Sequence, residues 1–170
     1  MKLSLKIYRP ASQMALILLG MNAAVLLGAY GFEIIGGLAP CQLCYYQRIP
    51  YALAIAVCVL VITLPQTSRM GFMILILIFI TSAGLGAYHA GVEWQWWKGP
   101  AGCTASGGTG LSVEELMAQI LAAPIVRCDE IPWSLFGISL AGYNALISLG
   151  LAGICLYALR KETAHGGTKN

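Results

Sequence analysis

Residues 70–92, MGFMILILIFITSAGLGAYHAGV, contain no Asp, Glu, Lys or Arg. About 20 apolar residues are enough for an α-helix to cross the hydrocarbon core of a bilayer. Three further uncharged runs, residues 10–32, 49–68 and 131–159, reach that length. Because backbone groups in lipid must be hydrogen-bonded within their own element, each run is predicted to form a transmembrane helix.

The composition agrees with this prediction. The chain is 58% hydrophobic and 10% charged, whereas soluble domains have roughly 25% charged residues. We therefore expect an all-α membrane protein, a bundle of four transmembrane helices in one domain of residues 1–170. The expected spans are about 11–32, 46–64, 70–90 and 135–159, and the first is an uncleaved span because its apolar run is longer than that of a signal peptide.

The distribution of charge predicts the orientation, since Lys and Arg near span ends favour the cytoplasmic side. Most basic residues fall on one side of the predicted bundle: Lys2, Lys6, Arg9, Arg69, Arg160, Lys161 and Lys169. Six of the seven acids fall on the other side: Glu33, Glu93, Glu114, Glu115, Asp129 and Glu130. Both termini are therefore expected in the cytoplasm, with outer loops at about 33–45 and 91–134. The net charge of +3 is a topology signal and not a nucleic-acid-binding patch.

The second outer loop is predicted to contain a short amphipathic helix. Ser112 and Glu115 form a capping box, and Leu111 and Leu116 stand at the hydrophobic-staple positions. An apolar stripe at helical spacing then follows, made of Val113, Leu116, Met117, Ile120 and Leu121. This stripe needs an apolar surface, either the bundle itself or the membrane interface, where the helix would tether a redox loop.

Four of the six cysteines lie in the predicted outer loops, Cys41 and Cys44 in the first and Cys103 and Cys128 in the second. Outward-facing thiols in an oxidising compartment tend to form disulfides, and four thiols allow three connectivities. The Cys-x-x-Cys spacing favours Cys41 with Cys44, which leaves Cys103 with Cys128.

The first pair stands where the second helix is predicted to begin, just after Pro40. A helix N-terminus supplies partial positive charge, which favours a thiolate. Arg48 lies four residues after Cys44, so both share one helix face. Arg48 is therefore a candidate to stabilise negative charge at the membrane boundary, although basic residues at span ends also snorkel to the interface for structural reasons.

A dithiol at that depth needs an electron acceptor. The sequence contains no Gly-rich strand-turn-helix fingerprint for a nicotinamide cofactor, whereas a lipid-soluble quinone needs an apolar groove with a few polar anchors. His89, near the outer end of the third span, is a candidate anchor or proton donor. A structural role for a single interfacial histidine is the alternative.

The pair Cys103 and Cys128 closes a loop that could be structural, contributing about 3 kcal/mol through loop entropy. Cys103 lies in a Gly-rich segment, so we expect it to be open to an attacking thiolate and the pair to be exchangeable. A zinc site of four thiolates is disfavoured by the oxidising side and by the spacing, and no metal is expected. Cys58 and Cys155 are expected to be small apolar core residues.

These motifs resemble those of the bacterial inner-membrane disulfide bond formation protein B (DsbB) family. The resemblance covers nearly the whole chain. It rests on Cys41-Gln-Leu-Cys44-Tyr-Tyr-Gln-Arg48, on Tyr88-His89-Ala-Gly-Val-Glu93-Trp94, and on Arg127-Cys128-Asp129-Glu130. It implies a quinone reductase, using ubiquinone or menaquinone, that reoxidises a periplasmic DsbA-like dithiol oxidase with a thioredoxin fold.

The resemblance also implies an ordered relay. Cys103 forms the mixed disulfide with the partner, Cys128 attacks the inner disulfide at Cys41, and Cys44 passes electrons to quinone beside Arg48. His89 corresponds to the histidine of the family's third span. Two alternatives remain at the level of sequence: a non-catalytic membrane scaffold with two structural disulfides, and the same bundle exporting reducing equivalents, which would require inward-facing thiols.

Overall fold

The structure is a computed structural model that describes residues 10–100, 103, 117 and 126–166, with side chains as far as residue 163. Within these residues, four helices are long and apolar enough to cross a membrane. They are α1 (Pro10–Ile34), α2 (Gln42–Thr63), α3 (Ser68–Glu93) and α4 (Leu140–Gly166). The predicted class, an all-α bundle of four membrane-spanning helices, is confirmed. The amphipathic helix predicted near 112–121 lies outside the described residues apart from Met117.

Neighbouring helices pack in sequence order, with the most extensive interface between α3 and α4. A 3-10 turn at Pro65–Thr67 joins α2 to α3. The centre of the bundle is filled by buried apolar side chains, among them Leu18, Tyr51, Phe72, Phe79 and Leu151. Many large apolar side chains point outward instead, for example Leu27, Leu77 and Leu149. An apolar exterior is what a bilayer solvates, since lipid tails are as apolar as leucine.

Small residues let α3 and α4 approach closely. A Cβ atom added at Gly86 would lie 2.8 Å from the Ala145 nitrogen and 3.0 Å from the Ala141 oxygen. Such close backbone contact is typical of helix pairs in membranes. It brings the polar residues of α4 within reach of α2 and α3.

The fourth helix begins several residues after the expected span start at about residue 135. Ser134–Leu135 (β1) and Ile138–Ser139 (β2) form an antiparallel hairpin, and α4 begins at Leu140. The two loop residues, Phe136 and Gly137, have φ angles of 51° and 78°, and positive φ at both positions suits a tight hairpin turn. The uncharged run is therefore longer than the helix because its first part forms a hairpin.

The second helix begins at Gln42, where the sequence after Pro40 predicts it and ahead of the expected span start near residue 46, because Cys41 caps it. Cys41 has extended backbone angles, φ −77° and ψ 172°, and its Sγ atom accepts a hydrogen bond from the Cys44 backbone N–H. The cap satisfies one of the free N–H groups in the first turn. The Cys-x-x-Cys motif is thus the first turn of α2.

The chain folds back after α3, at the start of the long outer loop. The indole of Trp97 packs over Gly91, and its Nε1 donates a hydrogen bond to the Tyr88 carbonyl at 2.9 Å. The rings of Trp97 and Tyr88 are stacked at 6.0 Å. These contacts fix the first residues of the loop that carries Cys103 against the outer end of α3.

Candidate functional site

Cys41 and Cys44 are free thiols in this structure, with their Sγ atoms 2.9 Å apart. Cys41 is buried, and Cys44 is partly exposed. A disulfide bond needs a separation of about 2.05 Å between the sulfur atoms. Because the pair lies on one helical turn, a small side-chain rotation is enough to join them.

The environment of Cys41 favours its thiolate. The Cys44 thiol donates a hydrogen bond to Cys41 Sγ, and His89 Nε2 approaches the same sulfur at 3.5 Å. The Cys44 hydrogen bond is the main cause that lowers the pKa of Cys41 to about 4, with help from His89 and against the effect of burial. The sequence predicted a thiolate in this motif, and the pKa shift falls on Cys41.

His89 is held by a chain of hydrogen bonds that crosses the bundle. Gln47 Nε2 donates to His89 Nδ1 at 2.6 Å, and Gln47 Oε1 accepts from Asn144 Nδ2 at 2.5 Å. Asn144 Oδ1 in turn accepts from the Tyr51 hydroxyl at 2.6 Å. Since an amide nitrogen only donates, Nδ1 accepts, and the proton of the neutral imidazole lies on Nε2. That N–H faces Cys41.

A second buried ionisable group lies beside His89. Glu93 is 5% exposed, and its Oε1 lies 4.0 Å from His89 Nε2. Its other oxygen accepts a hydrogen bond from the Ser139 hydroxyl, at the end of β2. Sequence reasoning used Glu93 for topology and missed it as a site residue. The spacing of four between His89 and Glu93, which places both on one helix face, was the available signal.

Cys103 and Cys128 form a disulfide. The Cys128 backbone N–H also donates to the Cys103 carbonyl at 2.7 Å. Both cysteines are buried, Cys103 at 1% exposure, so the expectation that Cys103 is open to attack is not met in this structure. The cause is packing: both cysteines belong to an apolar cluster with Cys41, Leu43 and Val92.

The two cysteine pairs meet at His89. Cys41 Sγ, Cys128 Sγ and one ring nitrogen of His89 lie within 4.8 Å of one another. Three such ligand atoms could surround a metal ion, but Cys128 Sγ is already bonded to Cys103. The same short distances suit exchange between a thiolate and a disulfide, in which one sulfur attacks another directly.

A cavity of about 300 Å³ opens beside the inner pair. Cys44, Arg48, His89 and Glu93 line it, together with Gln47, Tyr51, Tyr143 and Asn144. Most of the remaining lining is apolar and includes Val25, Leu26, Phe32, Leu38, Leu140 and Ile147. Cys41 is not among the described lining residues. An apolar cavity with a few polar groups at one side is typical of a small-molecule site, and these residues fit the apolar ring and two oxygens of a quinone.

Arg48 lines this cavity but has partners that the sequence did not predict. Its Nη1 donates to Glu33 Oε2 at 2.6 Å, and its guanidinium lies over the rings of Tyr30 and Tyr45 at 4.6 and 5.1 Å. The Arg48 side chain is 13% exposed. These contacts hold the Arg48 cation at the cavity, on the same helix as Cys44. An arginine that only snorkelled to the interface would not need such partners.

The two remaining cysteines lie in the bundle core. Cys58 and Cys155 are both fully buried among the apolar side chains. Their prediction as small apolar core residues is confirmed. They lie outside the set of residues that lines the cavity.

The chain is similar to known proteins over most of its length. The family model for disulfide bond formation protein DsbB matches residues 11–158. Disulfide bond formation protein B 2 of Pseudomonas syringae is 28% identical over 169 residues, which cover 93% of this chain and 94% of that protein. A Rickettsia prowazekii protein, "Uncharacterized protein RP370", is 28% identical over 138 residues, 80% of each chain. No solved structure gave a significant match. Because the family model spans most of the chain and the structure carries paired cysteines on a four-helix membrane bundle, the protein belongs to the DsbB family of disulfide-bond-forming membrane oxidoreductases.

Proposed function

We propose that this protein reoxidises a periplasmic thioredoxin-fold dithiol oxidase and passes the electrons to membrane quinone. The observation that carries the proposal is the serial arrangement of sulfur atoms. The outer disulfide of Cys103 and Cys128 abuts Cys41, and Cys44 alone of the inner pair lines the cavity. Electrons can therefore move from sulfur to sulfur and reach the cavity at one end.

The relay balances as four successive thiol–disulfide exchanges. A partner thiolate attacks Cys103, which forms a mixed disulfide and releases Cys128 as a thiolate. Cys128 attacks Cys41 Sγ, which forms a Cys41–Cys128 bond and releases Cys44 as a thiolate. The partner's second thiol resolves the mixed disulfide, and the released Cys103 thiolate attacks Cys128, which breaks the Cys41–Cys128 bond and releases Cys41 as a thiolate. The outer disulfide is restored, and the inner pair has gained two electrons.

Burial of Cys103 sets a condition on the first exchange. Thiol–disulfide exchange requires access to the attacked sulfur, and Cys103 is 1% exposed. Docking of the partner must therefore lift Cys103 away from its cluster with Leu43 and Val92. The same burial protects the outer disulfide from small thiols between turnovers.

The inner pair passes its electrons to quinone at the cavity. A quinone bound there accepts two electrons and two protons. Cys44 lies at the cavity wall, and Arg48, held by Glu33, supplies a permanent positive charge on the same side. Cys41, hydrogen-bonded to His89, remains available as the thiolate that closes the inner disulfide. His89 orients toward Cys41 because Gln47 holds its Nδ1.

The orientation of the bundle follows from the distribution of charge. Arg69, in the first turn of α3, and Arg160, near the end of α4, lie at the opposite membrane side from the cysteine cluster. Because basic residues favour the cytoplasmic side, the cysteines face the periplasm of a bacterial inner membrane. Both termini are then cytoplasmic.

The experiment is quinone reduction by the purified protein in detergent, with a reduced thioredoxin-fold dithiol oxidase and a short-chain ubiquinone. We expect turnover that Cys44→Ala abolishes while the mixed disulfide at Cys103 still forms. Cys58→Ala is the matched control, since Cys58 is buried in the core away from the cavity, and it should retain turnover. Absence of turnover with several oxidases and quinones would favour a scaffold with structural disulfides.

A further inference from the structure

Glu93 occupies an unusual position for a carboxyl group. It stands at the outer end of a membrane-spanning helix, is 5% exposed, and lines the cavity. Among the described residues that line this cavity it is the one carboxylic acid. Its hydrogen-bond partner is a neutral hydroxyl, that of Ser139, and not a cation. Burial of a charge without a cation is costly, so this environment favours a carboxyl group that carries a proton for part of the cycle.

Glu93 and Cys41 approach the same atom. His89 Nε2 lies 3.5 Å from Cys41 Sγ and 4.0 Å from Glu93 Oε1. Because Gln47 donates to His89 Nδ1, the hydrogen of the neutral imidazole lies on Nε2, between the two acidic groups. Two anions on either side of one neutral N–H repel each other, as paired carboxylates do when they share a proton. Cys41 and Glu93 together therefore favour one negative charge and one proton.

We propose that, when the inner disulfide is reduced, Glu93 takes up the proton that Cys41 does not hold as a thiolate, and that it later delivers this proton to the quinone in the cavity. This inference rests on the proposed quinone-reducing function and adds a proton-transferring residue to it. Cys41 itself is not among the described lining residues, whereas Glu93 is. The proton that accompanies reduction of Cys41 thus lies on a group that reaches the cavity.

The proton count closes. Reduction of the Cys41–Cys44 disulfide adds two electrons and two protons, of which one proton lies on Cys44 Sγ and one on the Glu93 carboxyl. Cys41 is then the thiolate. When the disulfide re-forms, both electrons and both protons pass to the quinone, giving the quinol. Glu93 ends as a carboxylate, which is tolerable once Cys41 has lost its negative charge in the disulfide.

Several other groups face Glu93 and set its charge. His89 comes from the same helix, and the first turns of α2 contribute Cys41, Cys44 and Arg48. Arg48 is already paired with Glu33 at 2.6 Å. From α4, Tyr143 lines the same cavity. Of these groups, Cys41 and Cys44 change their protonation with the redox state, so Glu93 is expected to follow them.

The test is infrared difference spectroscopy of quinone-free protein, comparing the inner pair as dithiol and as disulfide after chemical reduction and oxidation. We expect a carboxylic-acid C=O band in the dithiol state that disappears in the disulfide state. Glu93→Gln should remove this band. Glu93→Asp should retain it at a shifted frequency. Glu130→Gln is the matched control, because Glu130 is exposed in the outer loop, and its spectrum should equal that of the wild type.

Turnover supplies the second readout. Glu93→Gln should lower kcat for quinone reduction by roughly 10²-fold, as loss of a positioned proton donor typically does, while KM for quinone changes by less than about threefold. Mixed-disulfide formation at Cys103 should be unaffected. A wild-type difference band that persists in Glu93→Gln, or undiminished kcat in that variant, overturns the inference. Loss of quinone turnover in the wild type would instead overturn the proposed function, because the infrared test needs no quinone.

Discussion

Cys128 Sγ lies within 4.8 Å of Cys41 Sγ, although one residue belongs to the long outer loop and the other caps α2. Both atoms are buried, so water does not separate the two redox pairs. A movement of 2 to 3 Å, on the order of one rotamer change, brings these atoms to the separation of a disulfide bond. The relationship is the structural basis for transfer between the outer and inner pairs.

This proximity predicts a specific crosslink. In the double variant Cys44→Ala and Cys103→Ala, the remaining outer-facing thiols, Cys41 and Cys128, should form a disulfide on mild oxidation. Peptide mapping by mass spectrometry without reductant would detect it. The matched control is Cys41→Ala with Cys128→Ala, which leaves Cys44 and Cys103. Because Cys44 faces the cavity, a disulfide between these two should form far more slowly. Equal crosslinking in both variants would contradict the arrangement.

The pKa of Cys41, lowered to about 4, predicts a pH dependence. A thiolate is present above its pKa and is lost as pH falls through it, so the dithiol form should keep a thiolate from pH 7 down to about pH 5. Ultraviolet thiolate absorbance of the reduced protein measures this. Cys44→Ala removes the main cause of the lowered pKa and should move the midpoint to higher pH. His89→Ala should move it in the same direction by less. A midpoint near that of an ordinary thiol in the wild type would refute the assignment.

Arg48 is expected to serve quinone binding and not the exchange with the partner. Arg48→Met should raise KM for quinone by roughly tenfold, the size expected for loss of a charged hydrogen bond. Formation of the mixed disulfide at Cys103 should be unchanged. Arg160→Met, at the other end of the bundle in α4, is the matched control. An unchanged KM in Arg48→Met would leave Arg48 with a purely structural role beside Glu33.

Packing of α3 on α4 predicts a difference between two glycines. A Cβ at Gly86 would meet the backbone of Ala141 and Ala145 at 3.0 Å or less, whereas nothing lies within 4 Å of a Cβ at Gly84. Gly86→Ala should therefore destabilise the bundle by about 1–3 kcal/mol, the usual cost of overpacking, and Gly84→Ala should not. Thermal unfolding in detergent would show the difference as a lower Tm for Gly86→Ala alone. Similar Tm values for both variants would mean that the helices separate without strain.

The sequence by itself determined the class of the fold. Uncharged runs long enough to cross a bilayer leave helices as the main solution, because lipid offers no hydrogen bonds to the backbone. It also determined the pairing of Cys103 with Cys128, which the structure contains, and the placement of Cys58 and Cys155 in the core. The helix class and the core cysteines depend on hydropathy. The cysteine pairing depends on the short Cys-x-x-Cys spacing, which leaves Cys103 with Cys128. Both can be read along the chain.

Helix boundaries were harder to predict from the sequence. The run that contains α4 is uncharged from residue 131, yet the helix starts at Leu140 because Phe136 and Gly137 adopt a tight turn. Hydropathy does not distinguish an apolar hairpin from the first turns of an apolar helix. For α2, the helix starts at Gln42, just after the Cys41 cap and ahead of the expected span start near residue 46.

Only the tertiary structure decided how the site is assembled. Glu93, Gln47 and Ser139 come from three elements. Gln47 acquires its role through His89, and Ser139 through Glu93, partners that are far away in sequence. The tertiary structure also buries Cys103, although its Gly-rich segment predicts a sulfur that is open to an attacking thiolate. Local sequence reports the propensity and polarity of each segment, whereas burial and long-range hydrogen bonds depend on which segments pack together.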